Sequence, residues 1–311
     1  MTAAHWRRQL NDAAVMALQC SAPSADVLAA DLYERWYAPA AASEASASIA
    51  VAAEAVAARY RAADAAGRRF EPGWKVVHPG AMATRPTSAF QVAATNGRKA
   101  LWLDPIDFVH PAGIGTRPLP GATLLVNNRR RSVGPPGWWS TYSDSFAACQ
   151  TMGEPLLRLY WSVQARHVGR LVGTITSHLD AAAPYALKAP LDLDRCRRPD
   201  GVVVYLPRRS WEGAADAVQR AHAAASVMLR PAVPALTRPL AHGLGLAEDP
   251  GSVSFGMARC RAVAAGMWPA VRRPGARPET VALAAETELR TEGVRIEAPY
   301  LQPGSKAEYV W

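Results

Sequence analysis

The chain has 311 residues, enough for one large core or two small ones, and its 50% hydrophobic and 20% charged composition is that of a globular protein. No run of about 18 apolar residues occurs, so no transmembrane helix is expected, and Asn11 and Asp12 interrupt the N-terminal stretch where a secretory signal needs an apolar segment. Thirty-five Lys and Arg against 26 Asp and Glu leave a net charge of +9, which points either to an anionic partner or to a solubility surface.

Met1 to Leu18 reads as an amphipathic helix of the mature protein. Apolar residues recur at helical spacing through Val27, Leu28, Leu32, Tyr33 and Trp36, and a further helix is expected from Ser46 to Ala66, with Ala38 to Ala45 as the link. Residues 1–68 therefore form a helical N-terminal part. Beyond Phe70, Pro and Gly become frequent and apolar runs shorten. Trp74 to Val77, Ala89 to Ala93, Ala100 to Leu103 and Ala122 to Val126 are predicted strands. Arg129 to Gly137 is a basic loop, either solvated or a docking patch for an acidic peptide.

The clearest strand is Leu156 to Val163, which puts Arg158, Tyr160 and Ser162 on one face. Val168 to Leu179 has helical spacing. Tyr185 to Lys188 and Gly201 to Leu206 are strands, and Ser210 is expected to cap a helix over Trp211 to Leu229. Pro231 to Gly251 reads as an irregular loop. Ser254 opens a helix to about Trp268, Pro278 to Glu292 is the last helix, and Val294 to Glu297 is a possible strand. The fold class is α+β: the helical part, 1–68, packs on a mixed or antiparallel sheet core with flanking helices, 69–311, as one unit.

Several chemistries lack a signature. There is no P-loop, no strand-linked GxGxxG, no HExxH and no GxSxG. Gly243 and Gly245 read as a turn. Cys20, Cys149, Cys196 and Cys260 are far apart with no CxxC pair, so reduced thiols in the cytoplasm are expected, with no metal and no cofactor. No aromatic-basic interleaving marks a nucleic-acid binder.

Six segments occur together in a recognisable order: Leu156 to Trp161 (LLRLYW), Pro184 to Lys188 (PYALK), Arg198 to Leu206 (RPDGVVVYL), Ala247 to Pro250 (AEDP), Ser254 to Cys260 (SFGMARC) and Pro299 to Ser305 (PYLQPGS). In this the chain resembles the HopA-type type III effector-like family, over roughly residues 30–311. The resemblance implies an α+β fold found in two settings. One is a bacterial effector delivered into plant cells. The other is a phosphoserine/phosphothreonine lyase in the biosynthesis of ribosomal peptides such as class V lanthipeptides and thioamitides. There it acts on a phosphorylated precursor peptide, after a kinase-like phosphotransferase, and leaves dehydroalanine or dehydrobutyrine. The alanine- and arginine-rich composition favours the second setting: a cytoplasmic enzyme with no nucleic-acid or membrane partner.

Elimination of phosphate needs a base for the α-proton, cations for the phosphate, and an acid or cation for the leaving oxygen. Lys188 is the candidate base. It is the only lysine between Lys99 and Lys306 and lies in an apolar strand, where desolvation and nearby arginines favour a neutral amine. The alternative is a strand-end lysine with its head in solvent. Arg158, Arg198 and Arg259 are candidate phosphate ligands because guanidinium forks bind phosphate oxygens in pairs. The alternative is ion pairing with Asp200, Glu248 or Asp249. Tyr160 and Tyr205 are candidate acids, or else core tyrosines. His178 and His242 suit the task chemically but lie outside the matching segments, and Cys260 reads as a small buried residue.

Overall fold

The structure is a computed structural model that describes residues 2–41, 53–64, 70–81, 90–98, 100–103, 108–110, 117–127, 137–143, 146, 154–251 and 253–311. Its helices are α1 (Ala3–Leu18), α2 (Ala25–Leu32), α3 (Ala53–Ala63), α4 (Val168–Leu179), α5 (Trp211–Ala225), α6 (Phe255–Val271) and α7 (Pro278–Thr291). The strands are β1 (Phe70–Ala81), β2 (Gln91–Thr95), β3 (Ala100–Leu103), β4 (Phe108–Val109), β5 (Thr123–Asn127), β6 (Trp138–Tyr142), β7 (Leu156–Trp161), β8 (Ala186–Pro190), β9 (Val202–Pro207), β10 (Arg238–Ala241) and β11 (Leu244–Glu248). The α+β reading holds. Among the described residues there are two sheets, ordered β3-β2-β1-β5-β4 and β10-β11-β7-β9-β8-β6, with every ladder antiparallel. No described helix is long and apolar enough to cross a membrane.

The six-stranded sheet carries the site. Alternation along β7 and β9 sends Leu157, Leu159, Trp161, Val202, Val204 and Leu206 to one face, where α4 and α5 close a core over them. Tyr160, Val203 and Ala247 point the other way, into a second core built from α1, α2, α6 and α7. The N-terminal helices therefore pack on the C-terminal ones. Trp6, Leu10, Ala13, Ala14 and Ala17 form the buried stripe of α1, and its alanines permit close approach to α7. Ser24 Oγ caps α2 by accepting from the Val27 N–H. The chain then continues as a π-helical turn, Tyr33–Tyr37, that stacks Tyr33 on Tyr37 with centroids 5.3 Å apart. Gly256 in the first turn of α6 makes room for that turn, since a Cβ there would overlap the Tyr37 ring. The five-stranded sheet has a small core of its own around Trp74, Val76, Val92, Leu124 and Val126.

Three sequence expectations are corrected, and two lie partly or wholly outside the described residues. The 231–251 segment is not all loop: β10 and β11 form a hairpin that joins β7. Its turn falls at Gly243, in the left-handed region with φ +67°, and a Cβ at Gly245 would sit 2.8 Å from Thr237 Oγ1, so both glycines are required by the hairpin. Val294 to Glu297 is not a strand. Val294 and Ile296 alternate with exposed residues because they pack under helices, not because they join a ladder. Ser210 makes no side-chain cap, because a 3-10 turn over Arg208–Ser210 leads into α5. The helix expected from Ser46 is described only as Ala53–Ala63, and the basic loop expected from Arg129 lies, apart from Gly137, outside the described residues.

Candidate active site

Strand register decides which side chains meet. Arg158 on β7 pairs with Tyr205 on β9, and Tyr205 with Ala186 on β8; two residues along, Tyr160 pairs with Val203, and Val203 with Lys188. Residues opposite one another in a ladder share a face. Arg158, Tyr160, Tyr205 and Lys188 thus project together from the side of the sheet that α6 and the π turn cover.

Tyr205 stands between two cations. Arg158 Cζ is 5.3 Å from its ring centroid and Lys188 Nζ is 5.8 Å from it. Lys188 Nζ lies closer, 4.5 Å, to the indole of Trp138 on the edge strand β6. Alternation places Trp138 on this face while Trp139 goes to the opposite core, against Tyr60. Arg195, on the 3-10 turn Leu193–Arg197 that follows β8, brings its Cζ to 5.8 Å from the same indole. Among the described residues neither Lys188 nor Arg195 has a carboxylate within ion-pair distance. Two cations on one ring, without a counter-ion, make the half-buried Trp138 end of the site attractive to an anion.

The other expected cations are paired. Arg158 is 7% exposed. Its Nη2 donates to Asp249 Oδ1 at 2.8 Å and to the Val253 carbonyl at 3.2 Å, and its Nε is buried without a partner. Burial disfavours its charge, but the Tyr160 and Tyr205 phenols and Asp249 more than offset this, so its pKa rises. Arg198 Nε donates to Asp200 Oδ1 at 3.0 Å, its Nη1 reaches Glu34, and its guanidinium lies 4.6 Å over the Tyr33 ring. Tyr33 Oη donates to Asp200 Oδ2 at 2.9 Å, and burial followed by Asp200 pushes that phenol up. The carboxylate partners weighed as alternatives, Asp249 and Asp200, are therefore in place. Tyr160 is 3% exposed; its phenol faces that of Tyr37, and burial raises it.

Arg259 is held by the backbone. It is 3% exposed, and its Nε and Nη2 donate to the carbonyls of Pro299 and Leu301 at 2.9 and 2.8 Å. Its guanidinium fastens the C-terminal segment to α6, and burial lowers its pKa to about 10. His178 belongs to α4 on the opposite side of the sheet, with Nδ1 2.8 Å from the Thr174 carbonyl, and His242 sits in the β10–β11 turn. Cys260 is buried, as read from the sequence, and burial pushes its thiol up. No three described His, Cys, Asp or Glu side chains gather as metal ligands.

The profile of the HopA1 effector protein family matches residues 142–301, more than half of the chain. The chain belongs to the HopA1 effector protein family. Two solved structures share the fold of this HopA1 chain. One is the effector protein from Pseudomonas syringae pv. tomato strain DC3000, with a TM-score of 0.52 at 15% identity, over 96% of this chain and 98% of that one. The other is the effector protein from Pseudomonas syringae pv. syringae strain 61, with a TM-score of 0.50 at 10% identity, over 97% of this chain and 99% of that one. No curated protein sequence matches.

The HopA1 segment holds Arg158, Tyr160, Lys188, Arg195, Arg198 and Tyr205, whereas Trp138, Tyr33 and Glu34 lie outside it. Two residues of the site escaped the sequence, and a third, Trp138, reads there only as a core or groove-lining residue. Trp138 carried a readable signal, since of two adjacent tryptophans on a strand one must face away from the core. Arg195 and Tyr33 carried none, because both arrive through turns.

Proposed function

We propose that this chain is a phosphoserine/phosphothreonine lyase that acts in the cytoplasm on a peptide phosphorylated by a kinase-like protein. The observation that carries the reading is the row Trp138–Lys188–Tyr205–Arg158, with Arg195 on the same indole and no carboxylate on Lys188 or Arg195 among the described residues. An amine beside an unneutralised anion site is what β-elimination of phosphate requires. In this reading the substrate phosphate sits against Arg195 and draws Arg198 and Arg158 from their carboxylates, while the Lys188 amine takes the α-proton. The C–H electron pair becomes the Cα=Cβ bond, the Cβ–O bond breaks, and its pair leaves with the phosphate. Tyr205 donates a proton to the departing oxygen and recovers it from solvent, and the Lys188 ammonium returns its proton to solvent. The products are a dehydroalanine or dehydrobutyrine residue and inorganic phosphate. Tyr160, sealed beneath the site, supports the row from below. Neither nucleic acid nor membrane is needed.

The test is incubation with a synthetic phosphothreonine peptide, followed by mass spectrometry and a phosphate assay. The wild-type chain is expected to convert the peptide with loss of phosphoric acid. Lys188→Ala should slow this by about 10²–10⁴-fold while peptide binding persists, and Arg195→Ala should weaken binding. Elimination by Lys188→Ala at the wild-type rate removes Lys188 as the base. Phosphopeptide binding by the wild-type chain with no elimination would instead make it a non-catalytic interaction module.

A further inference from the structure

On the face of the six-stranded sheet away from Lys188, α3 and the start of α4 enclose a groove of about 520 Å³. Its floor is apolar, from Val56, Val168 and Leu193. Its rim carries Arg59, Arg166 and Arg170, all exposed. None of the three has an ion-pair partner among the described residues; Arg166 Nε meets only the ring of its neighbour His167, and the first turn of α4 carries no acidic residue. Two glycines one helical turn apart shape this junction in different ways. A Cβ at Gly173 would lie 2.8 Å from the Ala63 carbonyl oxygen, so Gly173 lets α3 settle onto α4, whereas a Cβ at Gly169 would meet nothing within 4 Å. Gly169 therefore opens the groove without supporting the helix contact.

We propose that this groove binds an acidic, apolar segment of the peptide substrate, outside the phosphorylated residue. The inference rests on the lyase reading for the identity of the peptide, and on the groove for its chemistry. Three exposed guanidiniums around an apolar floor favour carboxylates flanking apolar side chains. A nucleic acid fits less well, since its phosphates would find the rim but its polar base edges would meet a mostly apolar floor, where the Tyr60 hydroxyl is already engaged by the Pro190 carbonyl. The groove also has a route to the chemistry. Leu193 lines it, and Arg195, two residues on in the same 3-10 turn, lies over Trp138 in the candidate active site. A segment seated in the groove thus rounds this turn and reaches Lys188.

The experiment uses the full chain and two fluorescein-labelled phosphothreonine peptides, one carrying a Glu- and Leu-rich extension and one carrying the phosphothreonine alone. Two variants remove the groove: Gly169→Phe, which fills it, and the triple change Arg59→Glu, Arg166→Glu and Arg170→Glu, which reverses its rim while leaving the floor. Circular dichroism verifies folding, and the triple change stands alone if Gly169→Phe unfolds. Both variants should weaken binding of the extended peptide about tenfold or more and leave binding and elimination of the short one unchanged. Equal binding of the extended peptide by the wild-type chain and the triple variant overturns the proposal, as does displacement of that peptide from the wild-type groove by duplex DNA at comparable concentration. If wild-type protein eliminates neither peptide but only the extended one binds more weakly to the variants, the lyase reading fails and the groove assignment stands.

Discussion

Replacing Glu248 by glutamine removes a charge and almost no volume, and so isolates what that carboxylate does. Glu248 closes β11 with a side chain that is 0% exposed. Its Oε1 accepts from Ser305 Oγ at 2.7 Å and Tyr309 Oη at 2.6 Å and pairs with Arg208 Nη2 at 2.9 Å, and its Oε2 accepts from the Gln302 N–H at 2.7 Å. The backbone repeats the connection, since the Glu248 N–H donates to the Tyr300 carbonyl and Gln302 Nε2 donates to the Glu248 carbonyl. Every donor around the carboxylate needs an acceptor, and glutamine can present only one oxygen. Its NH₂ group would face either the Gln302 amide or the Ser305, Tyr309 and Arg208 donors. Breaking a buried ion pair by altering one partner costs about 3–5 kcal/mol, a large part of the 5–15 kcal/mol that typically holds a domain. Urea unfolding followed by tryptophan fluorescence reads this directly, because Trp211 stacks on Trp311 of the tail and its Nε1 donates to the Val310 carbonyl at 3.0 Å. The expected result is a midpoint shift equivalent to about 3–5 kcal/mol at unchanged slope. Glu34→Gln, at a side chain 65% exposed, is the control and should cost less than about 1 kcal/mol. A loss under about 1 kcal/mol for Glu248→Gln would refute the view that this carboxylate anchors the tail.

Three further outcomes are expected. Gly173→Leu should destabilise the chain by about 1–3 kcal/mol by forcing α3 off α4, seen as a lower thermal midpoint. Glu286 accepts from Arg7 Nε and Nη2 and from Arg290 Nη2, each at 2.9 Å, and these bonds, Arg7 first, hold its carboxyl at about 2 instead of the usual 4.5. Because the folded value lies below the unfolded one, this contribution to stability is complete above about pH 4.5 and fades as pH falls toward 2. Glu286→Gln should therefore flatten the fall of the melting temperature across that window. Burial holds the Cys196 thiol at about 12 and pushes Cys260 up, so iodoacetamide mapping of the native protein at pH 8 should find both unmodified, with Cys20, only half-buried, labelled ahead of these two.

Much of this fold was legible because period and packing agree. The two-residue alternation of LLRLYW and GVVVYL foretold that Arg158 and Tyr160 would share a face, and helical spacing located Val168–Leu179 to the residue. The hairpin was hidden because glycine has two uses. Gly243 breaks the chain direction, as a turn glycine does, but Gly245 is in a strand where a neighbouring side chain approaches closely, and the same letter stands for both. Val294 and Ile296 misled for the opposite reason, since alternating burial needs only a buried side and not a partner strand. The site was legible where register fixed it, for Lys188, Tyr205 and Arg158. The sequence was silent on the partners of Arg259, because nothing local foretells bonds to the carbonyls of a segment 40 residues on.

The matching segments therefore do two different jobs. AEDP, SFGMARC and PYLQPGS come together in space: Glu248 with Gln302 and Ser305, Arg259 with Pro299 and Leu301. They fasten the tail to β11 and α6, away from the Lys188 amine. PYALK and RPDGVVVYL, by contrast, deliver Lys188, Arg198 and Tyr205 to a half-buried face, and Asp249 of AEDP reaches across to Arg158. The clamp serves the architecture of this chain and the Lys188 row the proposed chemistry. A chain with the clamp intact and Lys188 replaced should keep the fold and lose elimination, whereas Glu248→Gln should weaken the fold before it touches the chemistry. Measuring stability and elimination on both variants separates ancestry from activity, because the two substitutions act on residues with no contact in common.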